Sequence, residues 1–332
     1  MRAKIRPRIQ LEGREPLDKA IPLSTPWVIF VDPADMCNFR CKFCPSSNRK
    51  LLKSVGRPLK LMQFPLYKKI VDSVCEFDKP IKVLRLYLHG EPLLNPNFAK
   101  MVKYAKESGC CEKVDTTTNA SMLNPKRNLK IIEAGLDRIN ISIEGINAKQ
   151  YLDFSGVKMN FGKFVENIAN LYNNRKQCEM IIKIDGDFLS EEDKQKFLDI
   201  FGDICDGIFI EHTMNCWYDF EGPKQNEEVG IYDQPIHEVD VCPYVFYSMS
   251  INSDGIVSAC FLDWARKLIV GDVRKESVKS IWNGIFLSSY RYMFLIKERK
   301  KHLICGKCSQ LSHGMPVDLD DKVDEILQRF LK

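Results

Sequence analysis

The sequence predicts an α/β protein in which six β-then-α units form one parallel sheet, followed by a smaller unit of a β-hairpin and helices. Three observations carry this. Strand-length apolar runs alternate with helical patterns from residue 27 to residue 212. Those runs are nearly continuous in apolar residues, as in parallel strands covered on both faces. The pattern is then lost at residues 215–241, before a strong hairpin signal. Six units are too few for a closed eight-stranded barrel, so a curved partial barrel and a flat doubly wound sheet both satisfy the pattern. In either, ligands belong at the C-terminal ends of the strands.

The first strand covers residues 27–31, in the run WVIFVD, and a cysteine-rich loop follows it. A helix over 66–77 places Leu66, Ile70, Val71 and Val74 on one face. Strand 83–88 leads through a loop holding Pro92 and Pro96 to a helix over 98–107. Strand 113–117 precedes helix 128–134, which Gly135 ends as a C-cap. Strand 138–144, helix 161–173 and strand 180–185 follow. Ser190, with three acidic residues after it, starts a helix reaching residue 201, and 207–212 is the sixth strand. Gly222, Pro223, Gly230 and Pro235 punctuate a polar segment that reads as a bridge. Segments 246–251 and 255–260 flank Asn252-Ser253-Asp254-Gly255 as a hairpin, and helices are expected over 280–296 and 317–331. The chain therefore divides into an N-terminal extension (1–26), a barrel or sheet unit (27–215), a bridge (216–241), a cysteine-bearing unit (242–310) and a C-terminal helix (311–332).

Composition narrows the function classes. Of 332 residues, 45% are hydrophobic and 28% charged, the profile of a globular protein and not of a disordered one. No run of about 18 apolar residues occurs, and residues 1–19 are rich in charge, so neither membrane spanning nor export is expected and the expected location is cytoplasmic. The surplus of 49 basic over 44 acidic side chains is spread along the chain without a polybasic block, which gives nucleic-acid binding little support.

Thirteen cysteines in a chain with no export signal do not read as a disulfide framework. Cys75, Cys110, Cys111, Cys178 and Cys205 sit among apolar neighbours and read as packing. Cys37, Cys41 and Cys44 follow the first strand as C-x3-C-x2-C. Three thiolates on one loop reach three corners of a cubane cluster and leave one iron open for chemistry. Structural zinc prefers four closed ligands. A second set, Cys242, Cys260, Cys305 and Cys308, has four thiols and no open position, and on coordination chemistry alone it suits zinc and an iron–sulfur cluster equally.

The first set, with aromatic Phe43 just before its third cysteine, resembles the radical S-adenosylmethionine (SAM) superfamily. That resemblance implies a partial (β/α)6 barrel, a [4Fe–4S] cluster whose unique iron is chelated by SAM, and a 5′-deoxyadenosyl radical that abstracts substrate hydrogen. It extends over residues 27–215. Leu88-His89-Gly90-Glu91-Pro92 resembles the family's Gly-Gly-Glu element, with His89 in place of the first glycine, and implies methionine contacts at Gly90 and Glu91. Ser142 and Glu144 match positions that hold the methionine carboxylate or ribose, Lys183 is placed to pair with that carboxylate, and Phe43 offers a stacking face to adenine. The pattern C-x12-G-x4-C followed by C-x2-C resembles SPASM and twitch extensions, with Gly271-Asp272-Val273 and residues 280–284 alongside, and implies one auxiliary [4Fe–4S] cluster.

A fully ligated cluster beside the active site suits either an electron acceptor or a brace for its own domain, and the expected function is hydrogen abstraction from a small polar substrate such as a sugar or aminocyclitol, by a radical SAM oxidoreductase acting as a dehydrogenase or epimerase. The 36 residues before Cys37 are too few for a leader-peptide recognition domain, which favours a metabolite over a peptide. The alternatives are a maturase of a ribosomal peptide or protein, and a non-catalytic iron–sulfur or zinc redox sensor. A flavodoxin or ferredoxin-type reductant is the expected protein partner. Asp185, Glu211, His212, Tyr218, Asp263 and Arg266 are the polar substrate-facing candidates, and Cys216 is a candidate hydrogen donor.

Overall fold

A computed structural model of the chain describes residues 1–9 and 13–330. Ten strands make one sheet: β1 (Lys4–Ile5), β2 (Val28–Val31), β3 (Ile81–Arg85), β4 (Cys111–Thr118), β5 (Arg138–Ile143), β6 (Glu179–Asp185), β7 (Gly207–Glu211), β8 (Ser248–Ile251), β9 (Ile256–Ser258) and β10 (Ile269–Asp272). Their spatial order is β1-β7-β6-β5-β4-β3-β2-β8-β9-β10. From β2 to β7 each strand pairs in parallel with its successor, with Ile29 opposite Leu84 and Ile141 opposite Ile182. β8 also joins β2 in parallel, and β9 and β10 continue antiparallel. The C-terminal hairpin is thus an extension of the same sheet, and it has a third strand, β10, that lies outside the expected pair.

The strands alternate more than their sequence suggests. One face, carrying Ile29, Leu84, Val114, Ile139, Ile182 and Ile208, is fully buried in the hydrophobic core beneath the helices. The other carries Phe30, Arg85, Asp115, Asn140, Lys183 and Glu211. Arg8, which follows β1 at one edge, lies within electrostatic range of Arg85 on β3, five strands away. A flat sheet would separate five strand steps by about 24 Å, so the sheet curls and that second face becomes the interior of a partial barrel.

Helical punctuation matches several expected signals. Asn124, Asn147, Asn160 and Ser190 each accept a backbone N–H from the first turn of the helix they cap. Helices outside the expected set include Arg49–Ser54 behind the first cysteine loop and Ala148–Ser155 after β5. The expected helix over 280–296 is two, Val278–Trp282 and Ile285–Leu295, because Gly284 takes an extended conformation and starts the second. The last helix is Val323–Phe330, preceded by a single 3-10 turn at Asp320–Lys322; its expected end at residue 331 lies outside the described residues. Tyr244–Tyr247 forms a helical turn before β8. No helix among the described residues is long and apolar enough to cross a membrane.

Candidate active site

The loop leaving β2 carries Cys37, Cys41 and Cys44 over the C-terminal ends of the strands. A buried ion pair anchors it: the Arg57 guanidinium donates to Asp35 at 2.7 Å, and both side chains are fully enclosed. Gly90, in the loop after β3, fits against this loop so closely that a Cβ there would lie 1.8 Å from the Ala34 carbonyl oxygen and 2.4 Å from that of Met36. The Glu91 N–H donates to Met36 O at 2.9 Å. Glu91 is itself buried and accepts from the Thr118 hydroxyl (2.6 Å), the Leu93 N–H (2.9 Å) and the Asn119 N–H (2.8 Å). Its carboxylate therefore locks the ends of β3 and β4 together and retains one further acceptor position. His89 is buried with neither ring nitrogen hydrogen-bonded, and desolvation, with Arg57 and Arg266 nearby, holds it neutral.

The chemistry of the sulfur donors fits iron–sulfur ligation. Backbone N–H groups two or three residues ahead point at the sulfurs: Phe39 at Cys37 (3.3 Å), Leu262 at Cys260 (3.4 Å), Ser46 at Cys44, Tyr244 and Val245 at Cys242, and Gln310 and Leu311 at Cys308. The Asn119 side-chain amide adds a donor to Cys37 at 3.7 Å. Such N–H···S contacts stabilise thiolates on a cluster and tune its potential. Without a cation the thiols hold their protons: burial first, then Glu91, pushes Cys37 up to about 12, and burial pushes Cys305 to about 12. A bound metal must supply the charge that ionises them. Among the described residues, no three His, Cys, Asp or Glu side chains converge tightly enough for a single metal ion.

Cys242, Cys260, Cys305 and Cys308 instead line one cavity, walled by apolar groups such as Leu262, Leu268 and Phe294. Arg299 secures the last knuckle, donating to the Cys305 carbonyl at 2.5 Å and the Asp240 carbonyl at 2.7 Å. Cys216 lines this same cavity and lies within electrostatic range of both Cys308 and Cys44. The two cysteine sets thus approach each other across the barrel mouth.

A second pocket, at the ends of β5 and β6, is lined by Lys42, Glu144, Gln150, Phe154, Asp185 and Phe188. Phe43 packs on Phe154 (5.7 Å between centroids), and Phe154 on Phe188 (5.1 Å). Burial, against the pull of Lys183, pushes the Glu144 carboxyl up to about 7. Ser142 lies opposite Lys183 in the β5–β6 register.

The remaining sequence candidates part company here. Lys183 is engaged by Glu211 at 2.5 Å, and Arg8 binds the same carboxylate at 3.1 Å. Asp185 accepts from the Thr213 hydroxyl at 2.6 Å, and His212 Nδ1 meets Asp187 at 2.6 Å. Tyr218, Asp263 and Arg266 hold structure: the Tyr218 hydroxyl donates to fully buried Asp263 at 2.5 Å, Asp263 also accepts from the Lys267 and Leu268 amides, and Arg266 pairs with Asp254 at 2.6 Å. Arg8 and Tyr87 are functional candidates that the sequence pattern did not expose. Cys75, expected to be packed, is exposed.

Comparison with known proteins agrees with this geometry. A family model described as the radical SAM superfamily matches residues 31–198, and one described as an iron–sulfur cluster-binding domain (SPASM) matches residues 242–309. The AdoMet-dependent heme synthase of Methanosarcina barkeri is 29% identical over 140 residues, 42% of this chain, and the match spans only 36% of that protein. The S-adenosyl-L-methionine-dependent 2-deoxy-scyllo-inosamine dehydrogenase of Niallia circulans is 22% identical over 302 residues, 90% of this chain and 98% of the relative. The solved structure of BtrN in complex with AdoMet and 2-DOIA superposes with a TM-score of 0.54 at 19% identity, covering 85% of this chain and 92% of that one. The two family matches imply a SAM-binding [4Fe–4S] cluster, an auxiliary iron–sulfur cluster and SAM itself, and both sulfur donor sets fit them. The chain belongs to the radical SAM superfamily and carries a SPASM-type C-terminal domain.

Proposed function

We propose that this protein is a radical SAM oxidoreductase that converts a carbinol of a small polar substrate, a sugar or aminocyclitol-like polyol, to a carbonyl. The observation that carries this reading is the approach of a three-thiol loop and a four-thiol cavity on either side of Cys216, at the mouth of one barrel. When bound, the cofactors supply a 5′-deoxyadenosyl radical on one side and a one-electron acceptor on the other. Oxidation of the carbinol then sheds one hydrogen atom, one proton and one electron, which balances the carbonyl formed. The end-to-end relationship with the inosamine dehydrogenase supports the same reaction class.

The chain's own residues divide the remaining work. The pocket beside Phe43 and Glu144 would hold SAM, with Gly90 and Glu91 shaping the methionine end. Glu211 is a poor proton acceptor: burial alone would raise its pKa, but Lys183 and Arg8 outweigh that and hold it below the ordinary carboxylate range. Asp185 is the better base, because burial pushes its carboxyl up and it stands at the rim, in register with Glu211. Cys216 sits in the four-cysteine cavity, which suits an electron path more than hydrogen donation to a substrate face.

The reading is tested by anaerobic incubation of the reduced enzyme with a panel of carbon-deuterated sugars and cyclitols. Deuterium in 5′-deoxyadenosine, with one carbonyl product per label transferred, supports it. Return of the hydrogen as an inverted alcohol, with no carbonyl formed, overturns the oxidation in favour of an epimerase.

A further inference from the structure

Three further thiols gather on the outside of the barrel, apart from both cysteine sets. Cys75 is the C-cap of the helix Phe64–Val74, and Cys110 and Cys111 stand where the turn after the helix Phe98–Ser108 enters β4. The backbone brings them together: the chain leaving Cys75 returns at Ile81, whose N–H donates to the Cys110 carbonyl at 3.0 Å. The side chains meet at the end of the second helix. There the Cys75 thiol donates to the Ser108 carbonyl at 3.8 Å, the Cys110 thiol to the Ala105 carbonyl at 4.0 Å, and the Cys110 N–H to the Ser108 hydroxyl at 3.3 Å. The Cys110 sulfur is within side-chain hydrogen-bonding reach of both Cys75 and Cys111.

Packing explains the inner two thiols and leaves the outer one unexplained. Cys110 and Cys111 are buried, whereas Cys75 is exposed. A soluble reagent therefore reaches Cys75 and is kept from Cys110, which touches it from behind. Hydrogen bonds from Cys111 first, then from Ser108 and Cys75, outweigh burial and hold the Cys110 thiol below its ordinary range. Cys111 is pushed up by the same contact and keeps its proton. An accessible thiol backed by a shielded neighbour that ionises readily is the arrangement of an attacking and a resolving cysteine.

We propose that Cys75 and Cys110 form a thiol–disulfide exchange site, at which a small-molecule disulfide oxidises the pair to an intramolecular disulfide. The Cys75 sulfur gives up its proton, attacks the reagent and displaces its first thiol. The Cys110 sulfur then attacks the Cys75 sulfur and displaces the second. One S–S bond breaks in the reagent and one forms in the protein; two protein thiols lose two electrons and two protons, and the reagent leaves as two thiols. The new bond closes a loop of about 35 residues. It also fastens the seat of the SPASM-type domain, because the same helix end holds the helix Val278–Trp282. Ser73 Oγ accepts from the Val278 N–H at 2.7 Å, and the Glu76 carbonyl accepts from Lys279 Nζ at 3.0 Å.

The test holds the anaerobic, cluster-loaded full chain in glutathione buffers from fully reduced to fully oxidised, alkylates the remaining thiols, and maps the fragments by mass. A Cys75–Cys110 crosslink is expected to grow with the oxidised share of the buffer and to vanish on reduction. Cys110→Ser is expected to stop at a glutathione adduct on Cys75, and Cys75→Ser to leave Cys110 unmodified. Oxidation is expected to raise the melting temperature of the parent protein by a few degrees and to leave that of Cys75→Ser where it was. A glutathione adduct that persists on Cys75 in the parent protein, pairing of Cys110 with Cys111 in place of Cys75, or free thiols at all three positions in oxidised buffer overturns the exchange site. A crosslink without the rise in melting temperature overturns the fastening of the seat. No turnover is read, so the site stands or falls apart from the oxidation reading.

Discussion

Single residues set the electrostatics of this site. Glu211 receives Lys183 and Arg8 at once, and its net shift is downward although burial works the other way. A carboxyl depressed in the folded state contributes stability that is present above its unfolded pKa and is lost as pH falls through the folded value. Lys183→Met removes the closer partner and lets burial raise the Glu211 carboxyl, so the variant's deficit is expected to be largest at neutral pH, where Glu211 is ionised, and to narrow as pH falls and that carboxyl takes up its proton. Thermal unfolding between pH 5 and 8 should show this, with a deficit of about 2 kcal/mol at neutral pH. Gly90 is a second residue with a clear consequence. Gly90→Ala would drive a methyl into the Ala34 and Met36 carbonyls, and because both belong to the cysteine loop, the variant is expected to lose iron from the SAM-binding cluster while its auxiliary cluster stays. The two groups of cysteines stood out in the sequence by their spacing, and Gly90 by its place in the string that resembles the Gly-Gly-Glu element. Arg8 did not, since nothing in its neighbouring sequence indicates that a short edge strand pairs with β7.

At the scale of elements, most strands and helices followed from apolar periodicity and caps such as Ser190. The strands were read as near-continuous apolar runs, and the alternation of Asp115, Asn140, Lys183 and Glu211 with buried neighbours shows why that was incomplete: the helix-covered face is apolar while the barrel interior is charged. β10 escaped notice because its four residues, Ile269–Asp272, are too few for periodicity, and Gly271 is there because a Cβ would collide with Ile281 at 2.7 Å. The loop between β9 and β10 hangs on Asp263, which gathers one hydroxyl and two amide donors. Asp263→Ala leaves those donors unpaired in a buried place. A loss of roughly 3 kcal/mol is expected, with less iron in the auxiliary cluster, checked by anaerobic melting and metal analysis. An unchanged melting point would show that Asp263 does not hold the loop.

Across the whole molecule, one curled sheet runs from the N-terminal edge strand through the barrel to the SPASM-type hairpin. The sequence read the hairpin as a separate unit, since parallel pairing of β8 with β2 joins segments more than 200 residues apart and has no local signature. That pairing is what brings the four-cysteine cavity to the mouth on which the first three cysteines stand. The most direct test of two clusters flanking one mouth is iron and sulfide content, with electron paramagnetic resonance of the reduced protein. The parent protein is expected to hold about eight irons with matching sulfide. Cys242→Ala with Cys308→Ala is expected to retain about four irons, keep the signal that SAM perturbs, and lose the other. Zinc at the second set, or about four irons in the parent protein with no change in the double variant, would contradict the account.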